Sequence, residues 1–469
     1  MLLLLVVLAT AIILLGVVVR LKWGLKLLVL ISLGQFLFQQ LALYAGIPNT
    51  RLITVIPYGI AAAIYGGMAI RYMSTQRLSI RIRPLRSGDL QNYLLVGLLT
   101  LSILQIFNPA IPLSAGVMGF LMGPYWIGFF FVGRHVLKGD KKLGLLLLRL
   151  IVIMVAFSAV YGIVGLIVEY PWKQAYLSTS FNPKAAIFTF RMGSSIGLPA
   201  VSGLAGMLGF LTGLSLSLAQ RKRQWMIIIA TCLALLLTVA SGSRSAMLGA
   251  MVGLALIIWL KRSVRSFLIL VIAIIFVISV LFGIQSKMTT YAIERLATIS
   301  PQQLFSGDIL QERNLASRLE RWQKVIPIIL KHPFGQGTGS WHQAKTFDKV
   351  QVGTVADNEY LALTGELGFL GLFLYLAFVG ILVWQCWHVL RSRKARGEEM
   401  RGMWAIITSS TLIAVLVMSI ACHPLYTFPS TMLVWLLWGM GSRFMEKSHR
   451  KKSSELSRYV PSLNAHSLP

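Results

Sequence analysis

Uninterrupted apolar runs recur from residue 2 to residue 441, and they constrain this chain's fold more than any other feature. A run of about 17 or more such residues is long enough to cross the hydrocarbon core of a bilayer as a helix. Spans are expected at 2–19, 27–45, 52–70, 91–107, 116–133, 143–166, 196–218, 225–240, 245–260, 267–283, 359–388, 403–421 and 430–441. Backbone in lipid must satisfy its own polar groups, which leaves helices and closed barrels. The runs are continuous rather than alternating, so the barrel is excluded. The expectation is an all-α polytopic membrane protein of about 12–13 transmembrane helices. Composition agrees: 13% of residues are charged and 56% hydrophobic, against about 25% charged in soluble domains. The first run starts at Leu2 with neither a basic stretch before it nor a small-residue cleavage site after it. It reads as a retained span, not a cleaved signal.

A formal net charge of +29 would suit a nucleic-acid partner, but its distribution argues against one. Basic residues crowd alternate loops: Arg20 to Lys26, Arg71 to Arg86, Arg134 to Lys142, Arg221 to Arg223, Lys261 to Arg265, Arg391 to Arg401, and the tail from Arg443. By the positive-inside bias these loops face the cytoplasm, so the N-terminus lies outside and the C-terminus inside. Acids favour the opposite loops, as with Glu169, Glu294, Asp308, Glu312, Glu320, Asp348, Asp357 and Glu359. That pattern orients a membrane protein; it is not a nucleic-acid footprint. The cysteines, Cys232, Cys386 and Cys422, have neither disulfide nor metal spacing. No internal repeat is visible, and the polar tail after Lys447 is expected to be disordered.

One long polar segment, 284–358, interrupts the apolar pattern on the outer side, and candidate chemistry gathers in and around it. Arg318 and Arg321 lie one helical turn apart, with Trp322, Val325 and Ile326 on the apolar side of a short amphipathic helix. They serve either as anion ligands or as a solvated face on the membrane surface. Ser243 and Arg244, in the run Ser241-Gly242-Ser243-Arg244, begin a span. Free N–H groups and a guanidinium there could hold a phosphate, or Arg244 could snorkel from a tight hairpin. Arg191 is a further candidate from another loop, with an isolated interfacial arginine as the plainer reading. Gly335, Gly337 and Gly339 follow no strand and precede no Lys-Ser/Thr, so they mark a turn rather than a nucleotide loop. Asp357 is either the N-cap of the next helix, or a general base or an orienter of one, and Asn358, with Gly335, Gly337 and Gly368, is assigned to the structural turn and helix cap. Glu366, about two turns into that helix, is a costly residue within a span and so a functional candidate, with pairing to an arginine as its structural alternative. Among His332, His342 and His423 the structural reading is preferred, and His342 is kept as a spare base. Arg149 reads as snorkelling.

Several of these pieces stand in an order that resembles the O-antigen ligase and polysaccharide polymerase superfamily (the Wzy-C domain group). They are Ser241-Gly242-Ser243-Arg244, Arg318-Leu319-x-x-Trp322, Pro333-Phe334-Gly335-x-Gly337-x-Gly339, and Asp357-Asn358-x(9)-Gly368-x-x-Gly371. Asn108-Pro109 and its glycine-rich span are also similar. The resemblance covers about residues 190–385. It implies a GT-C-like fold with one long periplasmic loop, and a glycosyltransferase that uses neither metal nor other cofactor. The implied donor is a polyprenyl-pyrophosphate-linked oligosaccharide, gripped by Arg191, Arg244 and Arg318, with a glycan or lipid-linked acceptor. One departure stands out: the ligases carry His where this chain has Asp357. A polymerase of exopolysaccharide, capsule or O-antigen repeat units is therefore favoured over a ligase to lipid A–core. The implied location is the bacterial inner membrane, and a chain-length regulator is a candidate partner.

On this reading the chain divides into N-terminal spans (1–190), a catalytic core (191–388) that includes the periplasmic loop, C-terminal spans (389–441) and a cytoplasmic basic tail (442–469). A flippase or transporter is the rival of another class. It predicts internal repeats and midplane charge, neither of which is found apart from Glu366. A non-catalytic assembly role remains a third reading.

Overall fold

The computed structural model describes residues 16–45, 51–75, 87–136, 140–167, 195, 199–219, 224–261, 313–342, 357–392 and 399–458. Its helices are α1 (Leu21–Tyr44), α2 (Arg51–Thr75), α3 (Ser87–Leu104), α4 (Leu113–Met122), α5 (Gly128–Val136), α6 (Lys141–Ile167), α7 (Pro199–Ala219), α8 (Trp225–Ala240), α9 (Arg244–Lys261), α10 (Arg313–Lys331), α11 (Glu359–Arg391), α12 (Glu399–Ser419) and α13 (Ser430–Arg458). Among the described residues there is no strand. Among the described residues, eight stretches are long and apolar enough to cross a membrane, and Val55–Arg71 and Trp225–Ala240 are shorter apolar helices. The protein is an all-α polytopic membrane protein. Spans 2–19, but for its last residues, and 267–283 lie outside the described residues, as do Arg191 and loop segments 284–312 and 343–356.

One expected span holds with a break inside it, and one expectation changes. The run 116–133 falls within the span-length stretch Leu113–His135, inside which α4 stops at Met122, a 3₁₀ turn Pro124–Ile127 follows, and α5 resumes at Gly128. Proline there has no N–H to continue the ladder, so the chain is re-aimed. The run 430–441 does not give way to a disordered tail after Lys447. It continues as α13 to Arg458, because Glu446–Arg458 contains good helix formers and neither Gly nor Pro.

Small residues let the helices close on one another, since lipid tails supply no hydrophobic force between apolar helices. A Cβ on Gly206 would stand 2.8 Å from the Thr238 backbone nitrogen where α7 meets α8. Cβ atoms on Gly249 and Gly253 would meet the carbonyls of Ala414 and Ser410 at 2.7 and 2.9 Å, which sets α9 antiparallel to α12. Buried Trp126, Trp404, Trp435 and Trp438 fill the wider gaps.

The two ends of the bundle differ chemically. At one end Lys22 pairs with Asp140 at 2.6 Å, and Arg134 reaches Glu446 at 2.8 Å. Arg134 also donates to Gln91 and Ser442, and Gln91 donates to Gln385. This network ties α3, α5, α11 and α13 together. The other end carries α10, the start of α11 and the α12–α13 connection.

Candidate functional site

The site is built on the first turns of α11. Asn358 caps that helix: it is extended, and its Oδ1 accepts from the backbone N–H groups of Tyr360 and Leu361 at 2.9 and 3.1 Å. Asp357 is therefore not the cap, and its carboxylate turns to α10. Its Oδ2 lies 3.0 Å from Arg321 Nη1 and 3.7 Å from Arg318 Nε. All three side chains are about one-third exposed, so both arginines and the carboxylate remain within reach of a ligand.

Two turns later α11 opens. Gly368 has φ 73° and ψ −177°, a combination that only glycine adopts readily. The break frees backbone groups, and the glycine turn takes them up. Gln336 and Gly337 donate to the carbonyls of Gly365 and Glu366 at 2.8 and 3.1 Å, and Phe369 donates to Pro333 at 3.0 Å. A Cβ on Gly368 would stand 2.4 Å from the Pro333 carbonyl oxygen. The turn is also held from α3: Thr338 donates to Gln105 and Ser102, and Gln105 donates to Phe334. Gly368→Ala is expected to cost at least about 2 kcal/mol, seen as a lower unfolding temperature in detergent. The matched substitution at exposed Gly380, where a Cβ meets nothing within 4 Å, should cost far less.

The docked turn delivers His342 to Glu366. His342 Nδ1 lies 2.8 Å from Glu366 Oε1, and that oxygen also accepts the backbone N–H groups of Trp341 and His342. Tyr426 donates to Glu366 Oε2 at 2.8 Å and stacks on the imidazole, with centroids 3.3 Å apart. Glu366 is fully buried and pairs with a histidine, not with an arginine. Burial opposes an imidazolium at His342, but the charge and hydrogen bond of Glu366, with the charge of Glu359, outweigh it. His342 therefore holds its proton above the usual histidine range. Because the folded-state pKa is raised, this stabilisation is complete below about pH 6.5 and is lost as pH rises through the raised value. Melting temperature should accordingly fall between neutral and alkaline pH in the wild type, and fall less in His342→Phe.

Glu359 completes the buried cluster. Its Oε2 lies 3.9 Å from His423 Nδ1 and accepts from the Leu425 N–H, while Oε1 has no hydrogen-bond partner among the described residues. His423 contacts the His342 ring edge-on at 4.6 Å. A small cavity below Glu359 is lined by Ser102, Leu363, Tyr375, Tyr426 and Trp435. Donor atoms of His342, Glu359 and His423 lie within 4.8 Å of one another, so a divalent cation would find two imidazoles and a carboxylate there.

Ser243 and Arg244 stand at the same end of the bundle. The contacts of Gly249 with Ala414 and of Gly253 with Ser410 run α9 antiparallel to α12, which brings Arg244 level with the α12 end that leads to Cys422 and His423. Cys422 in turn feels the charges of Asp357 and Arg318. On α10, Val325 and Ile329 are buried and Trp322 packs against them, but Ile326 is not on that side: it is 45% exposed.

Residues 229–376 match the family model described as O-antigen ligase. That stretch, less than half of the chain, is similar to the O-antigen ligase family. No curated protein matches the chain. The matched stretch takes in Ser243, Arg244, Arg318, Arg321, His342 and Asp357 through Gly368. Its charged centre is completed from beyond the matched residues, by His423 and Tyr426. His423 has a structural reading from the sequence alone, and Tyr426 and the buried face of Glu359 do not stand out in it. The signal available was His423-Pro424-Leu425-Tyr426 in a short outer loop between two spans.

Proposed function

We propose that this protein is a glycosyltransferase of the bacterial inner membrane. It transfers glycan from a polyprenyl-pyrophosphate carrier at the periplasmic face, with its N-terminus outside and its C-terminus in the cytoplasm. The observation that carries the reading is the convergence of Arg318 and Arg321 on the Asp357 carboxylate at the head of α11. Two guanidiniums that hold a carboxylate oxygen also suit a phosphate oxygen.

In this mechanism Arg318 and Arg321 bind the pyrophosphate, with Arg244 and Ser243 from the α9 N-terminus as further ligands. Binding takes the arginines from Asp357 and frees its carboxylate. Asp357 then accepts the proton of the acceptor hydroxyl as that oxygen attacks the anomeric carbon. The anomeric C–O bond to pyrophosphate breaks, and the leaving charge stays on the arginines. His342 and Glu366 hold the turn, and with it α10, against α11. The arginines supply the charge stabilisation that a metal would otherwise provide, so turnover is expected to survive a chelator.

The product is a longer lipid-linked chain, which makes the enzyme a polymerase of exopolysaccharide, capsule or O-antigen repeats. A chain-length regulator would be its natural partner. The description of the matched family favours a second reading, ligation to a lipid A–core acceptor. Incubation of the purified protein with a polyprenyl-pyrophosphate oligosaccharide separates the two. A ladder of lipid-linked products supports the polymerase, and a single transfer to added lipid A–core supports the ligase. Absence of any transfer with either acceptor would overturn the glycosyltransferase reading.

A further inference from the structure

We infer that α10 is an interfacial helix whose Ile326–Leu330 flank, continued by Phe334, is seated among the acyl chains of the outer leaflet. The helix has three faces. Val325 and Ile329, with Trp322, pack into the protein. Glu320 and Lys324 pair on the far side, each about two-thirds exposed, as in water. Between them lies an apolar flank with no partner among the described residues: Ile326 is 45% exposed, Leu330 64% and Phe334 82%. At 100° per residue, Ile326 and Leu330 stand beside the buried stripe and away from the ion pair.

What covers this flank follows from its neighbours. Phe334 is fixed between two spans, by Gln105 of the α3 end at 2.7 Å and through the Phe369–Pro333 hydrogen bond of α11. Those spans expose large apolar residues at the same level, Leu104 and Phe107 on one side and Phe369, Leu370 and Phe373 on the other. A spanning helix exposes such residues to lipid. The flank of α10 thus extends the lipid-facing belt sideways, with a polar face turned to water, as in helices that lie in the membrane plane. Exposed Lys331 can reach the headgroups from the end of the helix.

The depth assignment stands on these exposures alone. Its consequence rests on the proposed function: Arg318 and Arg321 would then stand at headgroup level, where the pyrophosphate of a membrane-bound donor lies. The donor would enter sideways from the bilayer, not from water.

Spin labels placed singly at residues 324, 330 and 334, in protein lacking Cys232, Cys386 and Cys422, test the depth. The protein would be reconstituted in phosphatidylethanolamine–phosphatidylglycerol vesicles and collision rates compared for oxygen and a water-soluble nickel chelate. Labels at 330 and 334 should favour oxygen and the label at 324 should favour nickel. Nickel-favoured collisions at all three positions would overturn the inference. Cross-linking of 330 or 334 between copies would also overturn it, assigning the flank to self-association. Leu330→Glu and Phe334→Glu should raise the KM for the lipid-linked donor about tenfold with kcat and binding of inorganic pyrophosphate unchanged. An unchanged KM would remove the role in donor entry. Loss of all transfer in the wild type would instead count against the proposed function and leave the depth result intact.

Discussion

Glu366→Ala should destabilise the protein by about 3–5 kcal/mol, the range found when one partner of a buried ion pair is removed. The carboxylate is fully buried and serves four donors: His342 Nδ1, the N–H groups of Trp341 and His342, and the Tyr426 hydroxyl. None can turn to water when it is lost, so each orphaned donor adds its own desolvation cost. Glu366→Gln should fall between wild type and alanine, because one oxygen can still accept while the amide faces donors it cannot serve. A double replacement with His342→Phe should be less harmful than the sum of the singles, since the pair acts as a unit. Thermal unfolding in detergent provides the measurement. A loss below about 1 kcal/mol for alanine would show that the docked turn does not depend on this carboxylate.

The bundle was legible because every span must meet the same demand, an apolar surface over enough turns to cross the bilayer. The breaks were less so. Gly368 sits inside an apolar run, and a lone glycine costs a helix only about 1 kcal/mol. Nothing local distinguishes it from Gly371 or Gly380, and only the turn docked against it shows why the helix opens there. Asp357 and Asn358 illustrate a different limit. Both rank among the best N-cap residues, so residue type cannot choose between them, and the extended backbone at Asn358 decides. The polar residues of the site were visible as a set, but their pairing was not. Arg321 meets Asp357 across 36 positions, and Glu366 meets His342 and Tyr426 from opposite directions along the chain. Such partners carry no spacing signal. They come together because the glycine turn, the α11 break and the α12–α13 connection share one end of the bundle.

Asp357→Asn should move two properties in opposite directions. If the carboxylate accepts the acceptor's proton, its amide cannot, and turnover should fall by at least about 10²-fold, the usual contribution of a general base. The same carboxylate holds Arg321 at 3.0 Å and stands near Arg318, so it competes with any phosphate for those guanidiniums. Its removal should tighten binding of inorganic pyrophosphate. The pair is one-third exposed, and exposed ion pairs are worth at most about 1 kcal/mol, which limits the gain to roughly two- to fivefold. Arg318→Ala and Arg321→Ala should each weaken pyrophosphate binding as well as turnover. Titration calorimetry and single-turnover transfer therefore separate the roles. Tighter pyrophosphate with lost turnover identifies a base that donor binding releases, which would make donor binding precede acceptor activation. Weaker pyrophosphate in Asp357→Asn would mean that the carboxylate orients the arginines for the ligand instead of competing with it. Turnover within about twofold of wild type would remove Asp357 from the chemistry. Glu359 Oε1, the buried carboxylate oxygen without a partner among the described residues, would then be the next group to replace.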